Sequence, residues 1–186
     1  MRIVFLGPPG AGKGTQAQRL KDHLGVAHLS TGEILRDAGR SGTPLGTEAA
    51  RYMQTGQLVP DEVVVSIVVD RLSDEDCAAG CLFDGFPRTV PQAKALDKML
   101  AERGMPLDLV LALEVPEERL LERLLARGRM DDNQYTIHER FRQYTRLTEP
   151  LLNYYRQRGI LRPIDGVGTP DEVFARIRDV VQRDCK

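Results

Sequence analysis

The nine residues Gly7-Pro8-Pro9-Gly10-Ala11-Gly12-Lys13-Gly14-Thr15 constrain this chain most, because they join the apolar run Arg2 to Leu6 to a helical pattern that begins at Lys13. Glycines at a strand-to-helix turn let successive backbone N–H groups converge, and the helix that follows points its positive end at the same spot. The stretch therefore reads as a cradle for nucleotide phosphates, with Lys13 adding a mobile charge. The general phosphate-loop pattern places Ser or Thr directly after the lysine, whereas here Gly14 intervenes and the hydroxyl comes from Thr15. A plain glycine-rich turn would require neither two prolines nor a lysine flanked by glycines.

Short apolar runs alternate with helical patterns along the rest of the chain. Arg2–Leu6, Val26–Leu29, Cys81–Phe83, Leu107–Val115 and Leu161–Asp165 read as strands. Helices are predicted over Lys13–Leu24, from a Ser30-Thr31-Gly32-Glu33 capping box to Arg40, and over Leu45–Thr55. More follow at Val63–Leu72 behind Pro60-Asp61-Glu62, at Thr89–Arg103, from Pro116 to about Ala126, and after Thr169-Pro170-Asp171-Glu172. The longest pattern, Thr136–Arg158, contains Pro150, which predicts a kink or break near Thr148. The alternation predicts an α/β fold, a five-stranded parallel sheet with helices on both faces. A length of 186 residues suits one domain.

Composition removes several alternatives. With 26 Lys plus Arg against 27 Asp plus Glu there is no global field to favour nucleic acid or an anionic membrane, so any anion site is local. Runs such as Leu109–Leu113 are too short to span a bilayer, and the N-terminus enters the glycine loop without the apolar core of a signal peptide. The expected location is the cytoplasm. Cys77, Cys81 and Cys185 fit neither a disulfide framework nor a paired Cys-x-x-Cys zinc site, so all three read as reduced and structural, with no structural zinc.

If the loop holds a triphosphate, Asp84 at the end of another strand is placed to position magnesium, mostly through water, with Thr15 as a hydroxyl ligand. Arg88 follows the rigid Pro87, and a planar guanidinium clamps phosphate oxygens as lysine cannot.

Taken together, the glycine loop, Ser30-Thr31-Gly32-Glu33, Gly56-Gln57-Leu58-Val59-Pro60-Asp61-Glu62, Asp84-Gly85-Phe86-Pro87-Arg88-Thr89 and Arg129-Met130-Asp131-Asp132 resemble the adenylate kinase family over nearly the whole chain. The resemblance implies a P-loop NTPase fold and transfer of the γ-phosphoryl group of Mg-ATP to AMP, giving two ADP, by a monomer. It implies that Gly10, Ala11, Gly12, Lys13, Gly14 and Thr15 bind ATP phosphates, with Arg123 against the ATP adenine and Gly168 as a backbone contact. It implies that Thr31, Arg36, Gln57, Leu58, Val59, Gly85, Phe86, Pro87, Arg88 and Gln92 bind AMP, Gln92 reading the adenine edge because an amide both donates and accepts. Arg127, Arg129 and Arg140 would surround the phosphates, and Asp131 and Asp132 would lock the arginines on closure. Arg119, although in line with Arg123 and Arg127, reads as a solvated salt-bridge residue.

One departure from the family pattern stands out. Longer members carry a lid of roughly thirty residues and short ones a loop of about ten, but here only Gly128, Arg129 and Met130 separate Arg127 from Asp131. The expected organisation is one kinase domain, an AMP-side excursion over 30–59 and a very short lid loop over 126–132. Alternative readings are a UMP or CMP kinase, disfavoured by Thr31 and Gln92, and a nucleotide-binding assembly factor that has lost turnover, disfavoured by Lys13, Asp84, Arg88, Arg129 and Arg140.

Overall fold

The computed structural model describes residues 1–129 and 133–184. Five parallel strands, β1 (Arg2–Leu6), β2 (Ala27–Ser30), β3 (Cys81–Asp84), β4 (Leu109–Glu114) and β5 (Leu161–Asp165), form one sheet in the order β2-β3-β1-β4-β5. The strands lie within a residue or two of their predicted places. β1 takes the centre because its Ile-Val-Phe-Leu run is apolar on both faces, as a strand covered on both sides must be.

The two faces sort the side chains by the two-residue strand period. Val4, Leu6, Leu29, Phe83 and Val110 pack into one core with Leu96 and Leu100 of α5 (Val90–Glu102) and Tyr155 of α8 (Pro150–Gln157). Ile3, Phe5, Leu82, Leu109 and Leu111 face the other core. There they meet Ala17 and Leu20 of α1 (Lys13–Leu24), Leu120 of α6 (Glu117–Arg127), and Val173, Ile177 and Val181 of α9 (Pro170–Asp184). Those three α9 positions recur every four residues and make a single apolar stripe.

Between β2 and β3 the chain forms α2 (Thr31–Arg40), α3 (Pro44–Thr55) and α4 (Asp61–Arg71). The valine-rich α4 is helical as predicted, with Asp61 and Glu62 in its first turn. The capping box expected at Ser30 does not form: Ser30 is the N-cap of α2, but among the described residues its side chain makes no cap hydrogen bond. Ser30 is also the last residue of β2 and is buried at 8% exposure, so the strand decides its geometry. The corresponding box at Thr169 does form. Its hydroxyl accepts from the Glu172 N–H at 3.3 Å, while Glu172 Oε2 accepts from the Thr169 N–H at 2.7 Å.

The long pattern after residue 133 divides into α7 (Gln134–Gln143), a π-helical segment Tyr144–Thr148 and α8. The predicted break at Pro150 takes this form because proline has no N–H to donate; the ladder widens just before it, with the Glu149 N–H donating to the Tyr144 carbonyl. Pro116, expected in the first turn of α6, sits one residue earlier, as its N-cap. Cys77 and Cys81 are free and buried, whereas Cys185, Asp131 and Asp132 lie outside the described residues. Among the described residues no helix is long and apolar enough to cross a membrane.

Candidate active site

At the carboxyl ends of the strands, beside the central strand where the strand order reverses, a parallel sheet leaves a crevice for ligands. Here the loop after β1 fills that position and turns straight into α1. Gly10 has φ 83°, and a Cβ on it would lie 2.9 Å from the Leu120 carbonyl oxygen, so a larger residue would push the loop off α6. Gly12 is the N-cap of α1 and carries no side chain to satisfy the first N–H groups of the helix, which leaves them to an outside acceptor.

Lys13 folds back over this loop: its Nζ donates to the carbonyl oxygens of Gly7 at 2.7 Å and Pro8 at 2.9 Å. Burial lowers its pKa from 10.5 to about 8; Asp84 opposes that fall, and Arg88 and Arg127 add to it. Asp84 ends β3 alongside Phe5. Burial resists its ionisation, yet His28, Lys13 and Arg88 hold its carboxyl below the usual carboxylate range. His28 Nε2 is 3.7 Å from Asp84 Oδ2, too long for a direct hydrogen bond.

The segment after Asp84 holds Arg88 from several sides. Gly85 has φ 79°, a left-handed conformation, and a Cβ there would come within 2.9 Å of Thr31 Oγ1 and 3.2 Å of the Arg88 guanidinium. The Phe86–Pro87 peptide is cis. Arg88 Nε donates to the Gly85 carbonyl at 2.8 Å, its N–H donates to Gln92 Oε1 at 2.7 Å, and its carbonyl accepts from Thr148 Oγ1 at 2.9 Å. Burial lowers the Arg88 pKa, Asp84 raises it, and the like charges of Arg140 and Arg36 lower it further.

These elements enclose a cleft of about 710 Å³. Gly10 to Thr15, Arg36, Gln57, Leu58, Asp84, Gly85, Pro87, Arg88, Arg123, Arg127, Arg129, Arg140 and Gly168 are among the residues that line it. Among the described lining residues only Glu33 and Asp84 are acidic, so a chain of net charge −1 concentrates its positive potential here. Four expected residues stand behind the wall: Thr31, Val59, Phe86 and Gln92 are exposed by 2%, 6%, 0% and 1%. Val59 and Phe86 belong to the apolar core, and Thr31 Oγ1 donates to the Asp84 carbonyl at 3.4 Å. Arg119 pairs with Glu122 at 3.5 Å on an exposed face, as expected.

Two residues that hold the site were not singled out from the sequence. Thr148 anchors Arg88, and Asp61, read as a helix start and as part of the Gly56–Glu62 motif but given no role in the site, accepts from Gln92 Nε2 at 2.7 Å and from Thr89 Oγ1 at 2.8 Å. Proximity to the Pro150 break is the one sequence signal that points toward Thr148. Among the described residues, no group of three or more His, Cys, Asp or Glu could hold a metal ion. Asp84 and Thr15 fit a cation that takes one carboxylate, one hydroxyl and otherwise phosphate and water, since Asp84 is held ionised and Thr15 is exposed.

A family model described as adenylate kinase matches residues 5–160, most of the chain. The chain belongs to the adenylate kinase family. It is 52% identical over 176 residues to an adenylate kinase of Leptospira biflexa, covering 92% of this chain and 95% of that one. It is 54% identical over 176 residues to an adenylate kinase of Mycolicibacterium vanbaalenii, covering 95% and 96%. An adenylate kinase of Thermodesulfovibrio yellowstonii is 46% identical over 214 positions, covering 98% of this chain and all of the other. That alignment is longer than the 186 residues here, so this adenylate kinase carries insertions that the present chain lacks.

Proposed function

We propose the following roles for the family's reaction, the reversible transfer of the γ-phosphoryl group of ATP to AMP to give two ADP, which this chain catalyses. The observation that carries the assignment is the convergence of the glycine loop, Lys13, Asp84, Arg88, Arg123, Arg127, Arg129 and Arg140 on one cleft. The N–H groups of Gly10 to Thr15 hold the donor phosphates, and Lys13 exchanges its two carbonyl partners for phosphate oxygens. Arg123 and the Gly168 backbone face the donor base. Arg36, Arg88 and Arg140 hold the AMP phosphate, with the backbone of Gln57 to Val59, Thr31, the Gly85–Pro87 turn and Gln92 around the nucleoside.

An AMP phosphate oxygen then bonds to the γ-phosphorus while the bond to the β,γ-bridging oxygen breaks, and the β-phosphate leaves with that electron pair. Little covalent help is needed, so the arginines and Lys13 act by aligning the two nucleotides and balancing charge on the transferring oxygens. Asp84 and Thr15 would hold magnesium, which when bound supplies charge neutralisation at the phosphate oxygens. The protein is further proposed to act as a cytoplasmic monomer, without zinc, nucleic acid or membrane partners, its near-neutral charge supporting the last two.

The excursion 30–59 carries most of the closure in this proposal, with 126–132 as a short lid. ATP hydrolysis without AMP tests that part: leakage no higher than in a member with a longer lid loop counts against it. A coupled assay of ADP formation with AMP, UMP, CMP and GMP as acceptors tests the main assignment. Preference for AMP is expected, and preference for a pyrimidine overturns it.

A further inference from the structure

The Gln92 amide is held at both ends. Its Oε1 accepts from the Arg88 N–H and its Nε2 donates to Asp61 Oδ1, each at 2.7 Å. Neither contact tolerates a reversed amide, since a backbone N–H only donates and an ionised carboxylate only accepts. Asp61 is fixed in turn by the Thr89 hydroxyl, which donates to its Oδ2 at 2.8 Å and accepts the Gln92 backbone N–H at 3.2 Å as the N-cap of α5. Among the described residues each end of the amide has one hydrogen-bond partner, which leaves a lone pair on Oε1 and a hydrogen on Nε2. Gln92 is 1% exposed while Arg88 lines the cleft, so the amide lies one hydrogen bond behind the cleft wall.

We propose that Asp61 is a positioning residue that sets acceptor-base specificity by fixing the polarity of the Gln92 amide. The inference rests on the assignment of Gln92 to the AMP base made above. A fixed lone pair and a fixed N–H match a purine with a donor at position 6 and an acceptor at N1. A 6-oxo purine offers the reverse, acceptor at 6 and donor at N1, and meets the same amide with both groups unpaired. Dry polar groups left unpaired are the strongest source of discrimination between ligands of equal shape. A role for Asp61 limited to starting α4 would weaken both bases alike.

The test is kcat/KM for AMP and for inosine monophosphate in wild type, Asp61→Asn, Asp61→Glu, Thr89→Val and Gln92→Ala. Asparagine keeps the shape of Asp61 but can donate, so in Asp61→Asn the Gln92 amide can reverse at the cost of the Arg88 bond. The AMP preference is expected to fall about tenfold in that variant. It should stay within about twofold of wild type in Thr89→Val, which keeps the carboxylate, and in Asp61→Glu, which keeps an acceptor-only partner. Asp61→Asn losing both activities equally overturns the inference, as does Asp61→Glu losing the preference if the asparagine variant is too unstable to assay. If Gln92→Ala keeps the wild-type preference, the assignment of Gln92 to the base fails and the inference with it. If Gln92→Ala loses the preference and Asp61→Asn does not, the inference alone fails.

Discussion

ATP binding to this protein is expected to take up a proton above pH 8. In the structure Lys13 titrates at about 8, chiefly because burial disfavours its charge, with Arg88 and Arg127 adding to the fall against the pull of Asp84. A bound polyphosphate places several negative charges against the ammonium and returns its pKa to the ordinary lysine range or above. At pH 9 about nine-tenths of the free protein then carries a neutral Lys13, whereas the complex is protonated. Binding should therefore take up close to ~0.9 proton at pH 9 and ~0.1 at pH 7, and affinity should fall about tenfold across that interval. Calorimetric titration with a non-hydrolysable ATP analogue, in buffers of different ionisation enthalpy at each pH, reads proton uptake directly. Lys13→Met should abolish the difference between the two pH values. Uptake at pH 9 below about 0.2 proton in the wild type, or equal uptake in Lys13→Met, refutes the reasoning. The same shift bears on stability: between pH 8 and 10.5 the unfolded chain binds more protons at Lys13 than the folded one, so this group makes the fold more stable as pH rises through that window.

Other perturbations test other parts of the structure. A Cβ on Gly46 would overlap the Ala38 carbonyl group and come within 2.6 Å of the Gly39 nitrogen, so Gly46→Ala must part α2 from α3. It should cost about 1–3 kcal/mol in thermal unfolding and raise KM for AMP much more than KM for ATP. Thr148→Val keeps the shape of a residue 8% exposed but removes the bond to the Arg88 carbonyl; steady-state kinetics should show kcat down about tenfold with KM for ATP unchanged. The Tyr155 hydroxyl is buried and among the described residues has no hydrogen-bond partner, so Tyr155→Phe should raise the melting temperature, by roughly 1 kcal/mol in stability.

The fold was legible from sequence wherever local pattern and long-range packing agree. The β1 run is apolar at every position after Arg2 and nothing but a central strand suits it, and the Val63–Leu72 helix could be read from its acidic first turn despite the β-branched residues. Ser30 shows where local chemistry loses: a good capping residue is also the end of a strand, and the strand governs its dihedrals. Lys13, Asp84 and Arg88 were legible because phosphate chemistry restricts the residue types that can serve at those strand ends, whereas Arg36, Arg123, Arg127, Arg129 and Arg140 were picked out only through the family resemblance. The cleft's supports were not legible. Asp61 lies 31 positions from Gln92 and Thr148 lies 60 from Arg88, and no local pattern records a hydrogen bond over such separations. The packing of Gly46 against Ala38 and Gly39 is equally silent in sequence, because a missing side chain leaves no periodicity to detect.

The strand order has a consequence for synthesis of the chain. β1 is made first, yet its partners are β3 and β4, which end at Asp84 and Glu114. At ~5–20 residues per second, the Ile-Val-Phe-Leu strand waits on the order of 4–15 s on the ribosome before its first neighbour is complete. Throughout that interval it is an apolar strand with both edges open, the form most prone to pair with another chain. β2, made next, cannot relieve it, because β3 must be inserted between the two. The placement that puts the phosphate loop at the centre of the finished sheet thus makes the first strand the part of the nascent protein in most need of protection.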